Sequence, residues 1–334
     1  MRLWSHRDPT TGKRSFGVVE FDHVITAPEL HSIGGLDETD SLLDTYWLLA
    51  SDGWHDRVKA AWLKCRSTGL VGRHVSEFSP AAAIQTPEKI VCVGLNYRDH
   101  VAEGGRAAPE RPLLFAKFAN AVIADGDPII RPSGTHALDL EAELGVVIGK
   151  RARRVAAADA LDHVAGYVVT NDISARDWQG VKQALHEGET GDGQWLRAKG
   201  SDTFLPMSAI IVTTEEVPLP NQLPIRGWYI PGTGPAAGTP VLWQEASTSD
   251  MIWQIPELIE YISAVITLEP GDIISTGTPS GVGVFRDPPV FLEPGDVVSV
   301  EVEPIGILTN PIVDENGRAP EGSPAARALE ARFA

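Results

Sequence analysis

"DLEAELGVVIGK", residues 139–150, decides how the rest of the chain is read. The run from Leu144 to Ile148 is short, apolar and closed by Gly149, the pattern of a strand entering a core. On a strand, residues two apart share a face, so Glu141 and Glu143 point the same way with Asp139 beside them. The pair then sits at the edge of the core rather than in open solvent. Two carboxylates so close repel unless positive charge lies between them, and a hard cation such as Mg²⁺ or Mn²⁺ prefers carboxylate oxygen. Taken alone, the same pair equally describes a solvated strand end carrying two surface acids, the commoner case.

Similar runs recur downstream: "KIVCVGL", "VAGYVVTNDIS", "SAIIVTT", "GDIISTGT" and "GDVVSVEVE". Gly/Pro turns separate them more often than long helices do, which points to a mainly β, α+β body. Glu-Pro-Gly-Asp occurs at 269–272 and 293–296, each time feeding such a run, with Pro and Gly at the centre of a type II turn. "IPELIEYISAVI" reads as a helix with Pro256 in its first turn. Upstream, residues 2–25 read as two strands joined by a turn at Asp8-Pro9 and Gly12, and residues 40–67 as a helical stretch with Leu and Trp at helical spacing. "FSPAAAIQTPEK", 78–89, reads as a linker. The expected division is an N-terminal α/β domain over 1–85, a catalytic body over 86–315 and a tail over 316–334.

The 28 basic and 45 acidic residues leave a net charge of −17, which repels phosphate backbones and anionic lipid. Nucleic-acid and membrane partners are therefore not expected, whereas a small anionic substrate held by local Arg and Lys is. Cys65 and Cys92 have no metal-ligand spacing, and no apolar stretch approaches the roughly 18 residues of a membrane span. The start of the chain lacks the apolar segment of a signal peptide, so the expected location is cytoplasmic.

A third acid extends the pair. "GYVVTNDISARDWQG" is another apolar run ending on an acid, Asp172, with Arg176 and Gln179 just beyond. Asp172 can complete a three-carboxylate metal site with positions left for water and substrate. Arg176 offers a planar fork for a substrate carboxylate, or else an ion pair with Asp177 or Asp172. In "GLNYRDHVAEGG", Asn96 can cap a short helix on which His100 and Glu103 share a face. A Glu-held imidazole is a general base, and equally a surface pair. Lys117 and Lys199 each follow apolar residues and can stabilise an oxyanion, or lie along the surface as snorkelling side chains. "STGTPSGVG", 275–283, offers backbone N–H groups and the Thr278 hydroxyl to an anion, but it lacks a phosphate loop's lysine and spacing.

In this order the motifs resemble those of the fumarylacetoacetate hydrolase family, in particular its bacterial domain-containing members, over about residues 88–312. The resemblance implies a mixed β-sandwich or β-roll and a homodimer. It implies an Mg²⁺ or Mn²⁺ site (Ca²⁺ can replace them in crystals) on Glu141, Glu143 and Asp172. It further implies a His100–Glu103 dyad, catalytic lysines Lys199 and Lys117, and substrate contacts at Arg176, Gln179, Thr278, Gly277 and Tyr97. Three departures stand out: Lys117-Phe118 where the family often has Lys-Pro, a long segment at 180–194, and a Gly/Pro-rich segment at 221–245.

The expected activity is metal-dependent hydrolysis of a C–C bond in an acylpyruvate-like 2-oxo or β-dicarbonyl acid, of the kind met in aromatic compound catabolism. His100, oriented by Glu103, would activate the water, and the metal with Lys199 would stabilise the departing enolate. Without water attack the same site performs decarboxylation, tautomerisation or hydration of an oxaloacetate-like or 2-hydroxydienoate substrate. A metal-binding member without catalysis is the remaining alternative, against which the retained dyad speaks.

Overall fold

The structure, a computed structural model, describes residues 1–8 and 11–333. Pro9, half of the Asp-Pro turn expected between the first strands, and Ala334 of the tail lie outside the described residues. The fold is the mixed, mainly β arrangement expected. An 11-stranded sheet packs against a five-stranded one, with short helices around them.

The strand Ala142–Ile148 sits inside the larger sheet, antiparallel to Val164–Asn171 on one side and to Ile273–Ser275 on the other. Ile273–Ser275 runs parallel to Ile90–Gly94, which pairs with Leu113–Lys117 at the sheet edge. Alternation along the central strand sets the layers. Leu144, Val146 and Ile148 enter a core shared with Ile225, Val300, Val302 and Leu308 of the smaller sheet. Val147 faces the opposite way, into a core with Leu3, Phe16, Leu30, Leu48 and Val58 of the N-terminal region. A strand buried on both faces needs apolar residues at every position, which is why this segment reads as one continuous run. Each such side chain contributes roughly 1.5–3 kcal/mol on burial.

The Glu-Pro-Gly-Asp repeats form the expected turns. Gly271 and Gly295 have φ of +87° and +110°, and the Asp272 and Asp296 amides each donate to the carbonyl three residues back at 3.0 Å. The helix Ile255–Ser263 also forms, with Pro256 in its first turn.

The N-terminal region departs from its reading in three ways. Three strands form where two were expected: Arg2–Arg7, Arg14–Glu20 and His23–Thr26. The helical stretch breaks into Glu38–Ser41, Thr45–Leu49 and Trp54–Ser67. Asp37 and Asp44 accept from the Thr39 and Trp47 amides, and Gly53 adopts φ +67°, so capping and turn residues punctuate a pattern that hydrophobic spacing alone leaves continuous. The presumed linker is built into the body: Ser79–Pro80 pairs with Arg2–Arg7, and Ala81 to Ile84 are buried. Its proline is tolerated because the pairing is short and marginal to the sheet. The strand Arg2–Arg7 joins Ile210–Thr213, so the larger sheet runs unbroken from the N-terminal strands to those that carry the acids.

His6 lies in that strand, 1% exposed, stacked on Trp4 at 4.8 Å and edge-on to Phe78 at 4.7 Å. Burial pulls its pKa from 6.5 down to about 4, against smaller upward pulls from the Trp4 backbone and Asp8. The fold therefore keeps the ring neutral where the unfolded chain binds a proton. The resulting stability is complete above about pH 6.5 and is lost as pH falls toward about 4. His6→Phe should flatten the acid limb of stability against pH, measured by urea unfolding, by up to about 3 kcal/mol. An unchanged slope would mean that the ring charges freely within the fold.

Candidate active site

Glu141 occupies the gap between Leu138–Asp139 and Ala142–Ile148, Glu143 is the second residue of the latter strand, and Asp172 follows Val164–Asn171. The two strand ends are tied together. The Asp172 amide donates to the Glu141 carbonyl at 2.9 Å, and the Glu141 amide donates to Asn171 Oδ1 at 3.0 Å. One carboxylate oxygen from each acid comes within 4.8 Å of the others. The three residues are 5%, 1% and 0% exposed, so the pair that sequence placed at the core's edge lies inside it.

Buried cations hold them. The Lys199 ammonium donates to Glu141 Oε2 at 2.8 Å, Asp172 Oδ2 at 2.7 Å and Ser174 Oγ at 2.8 Å. Lys117 pairs with Asp172 Oδ1 at 2.7 Å and donates to the carbonyls of Phe204 at 2.7 Å, Ile173 at 3.1 Å and Lys199. Arg176 bridges Asp139 at 2.9 Å and Glu141 at 2.7 Å, rather than the expected Asp177 or Asp172. Burial opposes charge on every one of these groups, and the partners decide the outcome. Lys199 is held above the usual range because Asp172 and Glu141 outweigh burial, while burial wins at Lys117 and pulls it down. Glu141 lies well below the carboxylate range because Lys199, Arg176 and His100 outweigh its burial. Glu143 is driven well above it by burial and by repulsion from Asp172 and Glu141.

Four carboxylates (Asp139, Glu141, Glu143, Asp172) thus face three cations (Lys117, Lys199, Arg176), one positive charge short of balance. Glu143 is the acid left without a cation. It accepts instead from the Ser275 hydroxyl at 2.5 Å and the Gly277 amide at 3.0 Å. The donor set Glu141, Glu143 and Asp172 is all hard oxygen, and a divalent cation both removes the deficit and leaves net positive charge for an anionic substrate. The residues fit such an ion.

Above the acids opens a narrow cleft. Glu141, Glu143, Arg176 and Lys199 line it with His100, Gln179 and Thr278, as do Leu95, Arg106, Trp195 and Phe285. His100 rides on the helix Arg98–Glu103, its Nδ1 facing Glu103 Oε2 at 3.4 Å. The other Glu103 oxygen accepts from the Gly281 amide at 2.9 Å, pinning the helix to the 275–283 loop. Asn96 does not cap this helix, whose N-cap is Tyr97. The Asn96 amide instead donates to the carbonyls of Trp253 and Thr276 at 3.1 and 2.7 Å.

Five expected site residues are absent from the cleft lining. Asp172 closes the acid cluster from below, and Glu103 lies behind His100. Lys117 is enclosed by Asp172 and backbone carbonyls. Gly277 stands behind Glu143: at φ +98°, with any Cβ only 2.7 Å from Asn96 Cβ, it brings its N–H to the carboxylate. Tyr97 packs in the apolar core between the sheets, with no partner for its hydroxyl among the described residues.

Sequence reasoning assigned no role to Asp139, which accepts from Arg176 Nε and from the Gly283 and Val284 amides at 2.8 and 3.1 Å. Its place two residues before Glu141 was the available signal. Gln244, from the 221–245 segment, was also missed: it donates to Thr278 Oγ1 at 2.8 Å and accepts from the Ala142 amide at 2.9 Å. Nothing local marks Gln244, Arg106 or Phe285, whereas Ser275 opens the 275–283 loop that the sequence did single out.

Fold and site together define an enzyme of the fumarylacetoacetate hydrolase superfamily. The chain belongs to that family: the model of the fumarylacetoacetate (FAA) hydrolase C-terminal domain matches residues 89–313. Among curated proteins it is similar to the mitochondrial oxaloacetate tautomerase FAHD2B of Bos taurus, 44% identical over 238 residues, 71% of this chain and 70% of the relative. The fumarylacetoacetate hydrolase domain-containing protein 2 homolog of Dictyostelium discoideum is 43% identical over 233 residues, 67% of this chain and 71% of its own. Among solved structures, the 2-hydroxyhepta-2,4-diene-1,7-dioate isomerase of Mycobacterium marinum superposes with TM-score 0.65 at 32% identity, covering 94% of this chain and 99% of its own. The fumarylacetoacetate hydrolase of Exiguobacterium antarcticum does so with TM-score 0.70 at 29% identity and the same coverage. No helix among the described residues is long and apolar enough to cross a membrane.

Removing Lys117 leaves Asp172 Oδ1 buried without its cation, with only Lys199 still paired to the other oxygen. Lys117→Met should lower stability by about 3–5 kcal/mol in urea unfolding. A variant of unchanged stability that had lost turnover would show the ammonium acting on substrate instead.

Proposed function

We propose that this chain catalyses keto–enol tautomerisation of a 2-oxo dicarboxylic acid of the oxaloacetate type, with a hard divalent cation on Glu141, Glu143 and Asp172. The observation that carries this reading is the placing of His100. It is the one imidazole lining a cleft whose other polar lining includes Glu141, Glu143, Arg176 and Lys199. The naming of relatives at 44% and 40% identity as oxaloacetate tautomerases, and of solved relatives as isomerases, supports the same reaction class.

When bound, the cation supplies Lewis-acid polarisation of the substrate's oxygens. The chain's own groups do the rest. Arg176 is held by Asp139 and Glu141, and its buried Nη2 has no partner among the described residues, so one edge of the fork is left for a substrate carboxylate. Lys199 keeps its proton and, by releasing the neutral Ser174 hydroxyl, turns one N–H toward the oxygen on which charge develops. His100 accepts the proton from the carbon next to the ketone and delivers it to that oxygen. The proton count closes without water: the C–H bond that breaks is matched by the O–H bond that forms, and no C–C bond is cleaved. Trp195 and Phe285 narrow the cleft around the transfer.

A second reading, C–C hydrolysis of an acylpyruvate, rests on the His100–Glu103 pair at 3.4 Å, an arrangement that suits activation of water. The two readings separate by product. Wild-type protein with Mg²⁺ should accelerate ketonisation of enol-oxaloacetate, followed by ultraviolet absorbance, and return acylpyruvates intact by NMR. Cleavage of acylpyruvates without any effect on oxaloacetate would replace tautomerisation by hydrolysis.

His100→Ala should lower turnover about 10²–10⁴-fold at unchanged Mg²⁺ affinity. Glu141→Gln should abolish Mg²⁺ uptake and turnover together, and undiminished turnover in chelator-treated wild type would exclude the metal.

A further inference from the structure

Outside the cleft, the described residues hold one more group of metal-ligating side chains. His136 lies on the segment that leads into Asp139, whereas His186 and Glu189 belong to the long 180–194 segment. One nitrogen from each ring and one Glu189 oxygen lie within 4.8 Å of one another. The two rings stack at 4.0 Å with planes 21° apart, and His136 Nε2 is 3.6 Å from Glu189 Oε2.

The group is anchored from inside and completed from outside. His136 is half-buried: its Nδ1 faces Asp177 Oδ2 at 3.4 Å and its Nε2 meets the Ala184 carbonyl at 2.9 Å. Asp177 is itself fixed by the Thr135 hydroxyl at 2.6 Å and the His136 amide at 3.2 Å. His186 and Glu189 are joined by a tight turn. The Glu189 amide donates to the His186 carbonyl at 3.0 Å, and the His186 amide donates to Glu189 Oε2 at 2.8 Å. The exposed His186 ring makes no hydrogen bond among the described residues and leans only on His136.

We propose that His136, His186 and Glu189 form a second metal site, selective for a borderline divalent cation such as Zn²⁺ or Co²⁺. Two imidazoles and one carboxylate suit such ions, whereas the three buried carboxylates of the cleft suit Mg²⁺ or Mn²⁺. Binding exchanges the Ala184 carbonyl for the metal at His136 Nε2, while Asp177 orients the ring through Nδ1 as a supporting carboxylate does in metal sites. His186 swings out of the stack by side-chain rotation alone and gives up no hydrogen bond in doing so. The bound ion ties residues 186–189 to the strand entry at residue 136. Val181 at the start of the same segment and Gln179 just before it line the cleft, so occupancy of this site rigidifies one cleft wall.

Protein saturated with Mg²⁺ and titrated with Co²⁺ tests this directly. The wild type is expected to take up one equivalent with a visible d–d absorption band, Glu141→Gln to keep that equivalent, and His186→Ala to lose it. Zn²⁺ should displace the Co²⁺ band and slow proteolytic nicking within 182–192. His186 is exposed, so its replacement leaves the core intact, and His136→Gln provides a second removal from the anchored side. Co²⁺ uptake that survives both His variants, uptake that disappears in Glu141→Gln, or no uptake beyond the Mg²⁺-filled site would each overturn the proposal.

Discussion

Three carboxylates forced together in a low-dielectric interior are the constraint around which this structure is arranged. Glu141, Glu143 and Asp172 are all but excluded from solvent, and like charges so buried repel strongly. Lys199 touches both Glu141 and Asp172, Lys117 holds Asp172 from behind, and Arg176 links Glu141 to Asp139. None of these cations is spare. The deficit falls on Glu143, the acid served among the described residues only by a hydroxyl and an amide, and that is where a bound cation relieves the most repulsion.

The surrounding fold can be understood as the means of holding that cluster still. The Ala142–Ile148 strand is covered by a core on each face, so neither Glu141 nor Glu143 can shift without moving packed side chains. Gly277 is tolerated at +98° because the amide it presents keeps Glu143 in place. The Glu103–Gly281 contact, far from the acids in sequence, sets the height of His100 above them. Chemistry then needs only a substrate carboxylate, an oxygen to polarise and a proton to move.

The 180–194 segment fits the same division of labour. It places His186 and Glu189 beside His136 and contributes Val181 to the cleft wall, so it joins an imidazole-containing cluster to the all-carboxylate one through a few residues of backbone. The 221–245 segment plays a more structural part. It forms two strands of the smaller sheet and sends Gln244 inward to hold Thr278 and the Ala142 amide.

The acids, the His100–Glu103 spacing and the strand-rich body were legible in the sequence because each is a local pattern. Alternation puts Glu141 and Glu143 on one face, helical spacing puts His100 beside Glu103, and turn residues mark the strand ends. Breaks in the N-terminal helices and the third N-terminal strand escaped, since capping by Asp37 and Asp44 overrode a continuous hydrophobic period. What only the tertiary structure decided is which partner each charge meets. Lys117 is enclosed as a counter-ion to Asp172, Arg176 finds its ion pairs in Asp139 and Glu141 rather than Asp177 or Asp172, and Tyr97 packs into the core. Chain neighbours define faces and turns, whereas burial, and the pairing that burial compels, depends on residues brought together from across the chain.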